Sequence, residues 1–93
     1  MANTLHTAHP YILYKEVTND PASLAANTTV DLSLTVAGVL PTHHVQAWCK
    51  TLTTGLSLGQ AFCDTANTVK VPLVNSTAGA LDQASSTFFV LVR

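Results

Sequence analysis

Four histidines raise the question of a metal site in this chain. His6 and His9 are three residues apart but lie outside any predicted helix. The adjacent His43 and His44 would point to opposite sides of an extended chain. This spacing predicts surface or contact histidines rather than zinc ligands, and it indicates no bound metal or cofactor.

The two cysteines, Cys49 and Cys63, are too few for a disulfide scaffold and lack the close spacing of a zinc ribbon. We expect two buried thiols. The alternative is a hairpin of residues 45–51 and 61–67 centred near Leu56, in which the cysteines would face each other. A bridge closing that loop would contribute about 3 kcal/mol, although a reducing cell disfavours it.

Catalytic side chains show no productive spacing. Ser57 matches the letters of a Gly-x-Ser-x-Gly elbow in residues 55–59, but no helical pattern follows it as such an elbow requires. The glycines at 38, 55, 59 and 79 are single turn residues rather than a phosphate-binding loop. The carboxylates are isolated and not spaced for paired acid and base work, namely Glu16, Asp20, Asp31, Asp64 and Asp82. The sequence predicts a protein that is not an enzyme; an active site assembled from distant positions is the alternative.

The composition predicts one small domain that shares its surface with other protein. The 93 residues are 47% hydrophobic and only 10% charged, with Thr, Ser, Asn and Gln at most polar positions. Uncharged polar groups cost less to bury at contacts than ions do. A threonine-rich monomer is the alternative. The net charge of −1 and the scattered basic residues exclude a phosphate-binding stripe, so no nucleic-acid partner is expected.

The N-terminal sequence MANTLHTAHP has neither the basic start nor the apolar run of a signal peptide, and no stretch is long and apolar enough for a membrane span. We therefore expect synthesis in a cytoplasm and no membrane partner.

Period-two alternation predicts β-strands. In residues 30–36, Val30, Leu32, Leu34 and Val36 alternate with polar residues, which is typical of a strand with one buried face. Pro72 cannot donate a ladder hydrogen bond, which favours an edge strand or an outward-facing nitrogen for residues 67–75. Gly55 and Gly59 bracket a turn or short excursion. The six predicted strands are residues 11–17, 27–36, 44–51, 60–64, 67–75 and 87–93.

The strand pattern predicts an all-β fold: a small antiparallel β-sandwich or barrel of about six to seven strands. Residues 10–93 form the single domain, and residues 1–9 form an extended N-terminal arm whose order depends on a partner. Aromatic and apolar side chains near the arm and on the second long strand are the candidate partner contacts, namely Leu5, Tyr11, Ile12, Tyr14 and Trp48. A core role is the alternative for Trp48.

Three segments resemble a widespread type of small tailed-bacteriophage protein that is often encoded beside capsid genes. They are NTTVDLSLTVAGV, TTGLSLGQAFCDTANTVKVPLVNSTAG and LDQASSTFFVLVR, within residues 27–93. Such proteins are β-sandwich virion components, and some act as capsid decoration or cement proteins. This chain departs from them before Val45, where Thr42-His43-His44 replaces an expected Gly-Asp turn.

The resemblance implies a virion structural protein that binds the major capsid protein on the outer capsid surface and stabilises the shell. Low charge and a small core predict self-association, as a trimer first and a dimer second. The rival hypothesis is a tail- or fibre-associated module that recognises a host surface glycan. Such a site needs exposed aromatic rings beside carboxamides or carboxylates, and the loops contain few aromatic residues.

Overall fold

The computed structural model describes residues 13–93, which form seven strands and no helix. The all-β prediction is confirmed. None of these residues belongs to a helix long and apolar enough to cross a membrane. The strands are β1 (Leu13–Asn19), β2 (Thr28–Thr35), β3 (Val45–Cys49), β4 (Leu56–Leu58), β5 (Phe62–Thr65), β6 (Thr68–Asn75) and β7 (Ser86–Val92).

The strands pair antiparallel in two sheets. The three-stranded sheet has the order β1-β7-β3, so its middle strand comes last in the sequence. In the other sheet β6 pairs with β2 along one edge and with β4 and β5 along the other. This arrangement is a small β-sandwich, as the alternating pattern predicts.

The inward faces of the two sheets form one hydrophobic core. Phe88, Val90 and Val92 of β7 are fully buried, as are the apolar residues of β6 at alternate positions. The alternation that predicted these faces is confirmed in both strands. Val30 is the exception on β2, because its side chain faces Leu73 in the register yet remains 45% exposed.

Pro72 explains why β4 and β5 are separate strands. It lies in the central strand β6, so the edge-strand alternative for residues 67–75 is wrong, whereas the Pro72 nitrogen does point away from the β2 ladder. Its carbonyl accepts a hydrogen bond from Gly59 N–H at 2.8 Å. Since Pro72 has no N–H to return, the partner strand breaks after Leu58 and resumes at Phe62 with a shifted register.

The long connection before β7 is held by two buried carboxamides. Asn75 Nδ2 donates to the carbonyls of Leu24, Ala25 and Gly79 at 3.2, 3.1 and 2.9 Å. Asn75 Oδ1 accepts from both the N–H and the hydroxyl of Thr77, at 3.0 and 2.7 Å. Because every polar atom of this side chain is paired, it fixes the loop although it is fully buried.

Gln83 plays the corresponding role at the other end of the connection. Its Oε1 accepts from Thr53 N–H at 2.7 Å, and its Nε2 donates to the carbonyls of Thr51 and Ala84 at 2.7 and 2.9 Å. The connection, which the sequence showed only as irregular, is therefore hydrogen-bonded to residues 24–25 at one end and to residues 51–53 at the other.

Two local expectations are corrected. Residues between Gly55 and Gly59 form β4 rather than a turn. The hairpin of residues 45–51 and 61–67 does not form, because β3 pairs with β7 and β5 pairs with β6. Cys49 and Cys63 are both free thiols; Cys63 is buried as expected, and Cys49 is half-buried.

Candidate partner-binding surface

The outer face of the three-stranded sheet carries large apolar side chains. In the register, Tyr14 of β1 lies opposite Leu91 of β7, and the next outward row joins Glu16, Phe89 and Trp48. We define the aromatic face as Tyr14, Trp48, Phe89 and Leu91. All four point away from the core because they alternate with its buried residues.

The rings of this face are accessible and partly preorganised. Tyr14 is 42% exposed and Trp48 is 46% exposed, whereas Phe89 and Leu91 are half-buried between them. The Trp48 and Phe89 ring centroids are 5.9 Å apart with an interplanar angle of 34°. Cross-strand aromatic contacts of this kind restrict the side chains, which lowers the entropy lost when a partner covers them.

Polar groups border the aromatic face. The Tyr14 hydroxyl donates to Glu16 Oε2 at 3.3 Å. Desolvation raises the pKa of the Tyr14 phenol above its usual value of 10.0, and the charge and hydrogen bond of Glu16 raise it further. The phenol therefore stays protonated at neutral pH and keeps its donor. At the opposite border, Arg93 Nη2, just after the end of β7, donates to Oε1 of Gln46 on β3 at 2.9 Å.

A groove runs beside β3, where the two sheets do not close into a barrel. It contains a cavity of about 630 Å³ next to His44 and Arg93, and a second of about 330 Å³ next to Trp48. Gln46, Gln60 and Ala61 line both cavities. The groove therefore begins at the border of the aromatic face and extends into the space between β3 and β5.

The loop before β3 is ordered by its own hydrogen bonds. His43 Nδ1 accepts from the Leu40 N–H at 3.1 Å, and His44 exchanges two backbone hydrogen bonds with Arg93, each 2.8 Å long. Both histidines line the groove. Within residues 13–93 no three His, Cys, Asp or Glu side chains lie close enough together to hold a metal ion.

The structure brings two of the predicted contact residues onto one face. Tyr14 and Trp48 lie on the outer strands of the same sheet, and Trp48 is exposed rather than part of the core. Leu5, Tyr11 and Ile12 lie outside the described residues. Sequence reasoning missed Phe89 and Leu91, although the alternation of residues 87–93 already placed them opposite the buried Phe88.

Comparisons with protein-family models, with curated proteins and with solved structures found no match to this chain.

Proposed function

We propose that this protein is a non-enzymatic structural component of a tailed-phage virion, which binds the major capsid protein on the outer capsid surface and stabilises the shell. The aromatic face is the observation that carries the proposal for a binding role. The resemblance of residues 27–93 to small phage virion proteins supports the capsid as its partner.

The chemistry of the face suits protein contact. Tyr14 and Trp48 supply large contact areas with few rotatable bonds, which is why such residues dominate binding energies at protein interfaces. Glu16, Gln46 and Arg93 form a polar border that stays solvated around the apolar centre. An open sheet face with exposed rings is suited to contact with another protein surface.

Self-association completes the proposal, with a trimer as the first expectation and a dimer as the second. A cement protein bridges subunit joints, and its effect multiplies over many copies. Each contact then needs only a standard interface area, about 1,200–2,000 Å². Leu5 of the arm, with Tyr11 and Ile12 just after it, would add to this area. Deletion of residues 1–9 should weaken head binding while leaving the β fold intact.

One observation favours the rival glycan-binding function. The exposed Trp48 ring lies beside the carboxamides of Gln46 and Gln60 around the smaller cavity. Rings next to amide groups are suited to the apolar faces and hydroxyls of sugars. This site lies on a strand rather than in a loop, which is why the aromatic-poor loops did not reveal it.

The deciding experiment locates the protein in intact phage particles. Mass analysis of purified virions and immunogold labelling should find it on heads in many copies. Absence from virions, or labelling restricted to tails, would show that the capsid proposal is wrong, and the tail location would favour the glycan module.

A pair of variants tests the face itself. Trp48→Ala should weaken binding to isolated heads about 30-fold or more, the effect of losing a contact worth about 2 kcal/mol. Val30→Ala is the matched control, because Val30 has nearly the same exposed fraction, 45% against 46%, but lies on the other sheet. Equal affinities of the two variants would contradict the assignment of the aromatic face.

A further inference from the structure

The outer edge of β3 presents backbone hydrogen-bonding groups to the groove. His44 donates one backbone hydrogen bond to Arg93 and accepts one from it. Along an antiparallel strand, residues alternate between pointing their backbone groups at the partner strand and away from it. The N–H and C=O groups of Val45, Ala47 and Cys49 therefore point away from β7. Among residues 13–93, no other strand pairs with this edge.

A side chain occupies part of the place where a strand would lie. Gln60 Nε2 donates to the Val45 carbonyl at 3.3 Å and to the Ala61 carbonyl at 3.2 Å. Both distances exceed the usual length of about 2.9–3.0 Å, and Gln60 is exposed. The carboxamide is thus a weak substitute that an incoming backbone N–H can replace with little loss.

The opposite wall of the groove carries mostly small side chains. It is built from Gly59 and Ala61, which have no large side chains, and from the ring of Phe62, which is 37% exposed. β3 is five residues long, so its edge extends about 16 Å at a rise of about 3.3 Å per residue. That length matches a short extended segment of five or six residues.

The residues that line the groove favour a negatively charged segment over a positively charged one. The larger cavity is lined by Arg93, His43 and His44, and no Asp or Glu is among its lining residues. An acidic segment would gain an ion pair with the Arg93 guanidinium, which is already held in place by Gln46. A basic segment would bring a second positive charge close to that guanidinium.

The outer edge of β2 provides a contrast within the same molecule. Val36 is hydrogen-bonded to Asn67, so every second residue from Val36 points its backbone groups at β6. The outward backbone groups are those of Thr29, Asp31, Ser33 and Thr35. The Asp31 carboxylate lies in the middle of this edge. A charge in the middle of an edge strand disfavours pairing with another strand, and β3 has none between Val45 and Cys49.

We propose that the groove beside β3 binds an extended acidic peptide segment of a partner protein, which adds to the sheet as a strand next to β3. Its backbone pairs with Val45, Ala47 and Cys49 in place of the Gln60 carboxamide, and its carboxylates contact Arg93. This mode of binding depends on the β3 edge and its groove alone, so the proposal does not require the partner to be a capsid protein.

The test uses the purified full chain and two fluorescein-labelled eight-residue peptides, one alternating Val and Glu and the other alternating Val and Lys. In fluorescence anisotropy the Glu peptide should bind saturably and at least tenfold more tightly than the Lys peptide. Hydrogen exchange should then slow at the amides of Ala47 and Cys49. Lack of saturable binding up to about 1 mM, or equal binding of both peptides, would overturn the proposal.

Matched proline variants locate the site. Ala47→Pro removes an outward N–H from the β3 edge and should reduce Glu-peptide affinity at least tenfold, whereas Ser33→Pro removes the equivalent group from β2 and should leave it unchanged. Arg93→Gln should reduce affinity several-fold without altering the backbone, which provides a test even if a proline variant fails to fold. Equal affinity of wild type and Arg93→Gln, or amide shifts confined to Tyr14 and Phe89, would refute the groove as the site.

Discussion

Replacement of Asn75 by alanine tests the explanation of how the long loop is held. The substitution removes five hydrogen bonds from a side chain that has no solvent exposure. The three carbonyls it contacts each keep another donor: Leu81 N–H for Leu24, the Thr28 hydroxyl for Ala25, and the Thr77 hydroxyl for Gly79. The Thr77 N–H alone loses the acceptor described for it.

The magnitude follows from this count. Leaving one half-buried N–H without an acceptor costs about 1–3 kcal/mol, and each remaining net hydrogen bond contributes about 0.5–1.5 kcal/mol. Since the Asn75 amide has only two hydrogens, its three donor contacts amount to about two bonds. We expect a loss of about 3 kcal/mol in the free energy of unfolding, which corresponds to about 12–24 °C in melting temperature for a domain of this size.

Urea denaturation followed by circular dichroism gives the free energy of unfolding directly. Ser76→Ala is the control, because Ser76 is the exposed neighbour of Asn75 and should change stability by no more than about 0.5 kcal/mol. A loss below about 1 kcal/mol for Asn75→Ala would mean that water or a rearranged loop replaces the hydrogen bonds, and the assigned role would be wrong.

Two further stability predictions concern backbone conformation and charge. Gly55→Ala should lower the free energy of unfolding by about 1–3 kcal/mol, because Gly55 has a φ of +98° and a Cβ there would lie 2.8 Å from a methyl group of Leu81. Gly79→Ala is the control: a Cβ at Gly79 would have no atom within 4 Å, so the same urea assay should show almost no change. The hydrogen bond from Lys70 lowers the pKa of Asp64 below 3.8, so its contribution to stability is present above that pH and disappears as pH falls through the lowered value. Asp64→Asn should therefore be less stable than wild type at neutral pH, and the difference should shrink as the pH falls below 3.8. A difference that stays the same in acid would contradict this assignment.

Much of the fold follows from local pattern. All six predicted strands overlap described strands, and residues 87–93 coincide closely with β7. The alternation also assigns buried faces correctly, since each side chain's direction in a strand is a local property. The arm, residues 1–9, lies outside the described residues and stays a prediction.

Strand order was beyond the sequence argument because pairing partners are distant along the chain. The pattern of residues 44–51 does not indicate that β3 pairs with β7, and this pairing is what removes the proposed cysteine hairpin. The proline in β6 misled for the same reason: its position is tolerated through a break in a partner strand, which no local rule contains.

The candidate surface was only half predicted. Tyr14 and Trp48 were chosen for their residue types, but their common face depends on β7 lying between them. Phe89 could have been placed on that face by alternation alone. The groove beside β3 has no sequence signature, because it arises where two sheets fail to meet.

The position of β7 in the middle of its sheet also governs when the protein can fold during synthesis. β1 begins at Leu13, and its partner strand does not begin until Ser86. At about 5–20 residues per second, a ribosome takes several seconds to make the intervening chain. For that time β1 and β3 have no central strand to join, so the three-stranded sheet forms only after β7 emerges. A nascent chain interrupted before residue 86 would expose the inward faces of both strands to chaperones and proteases.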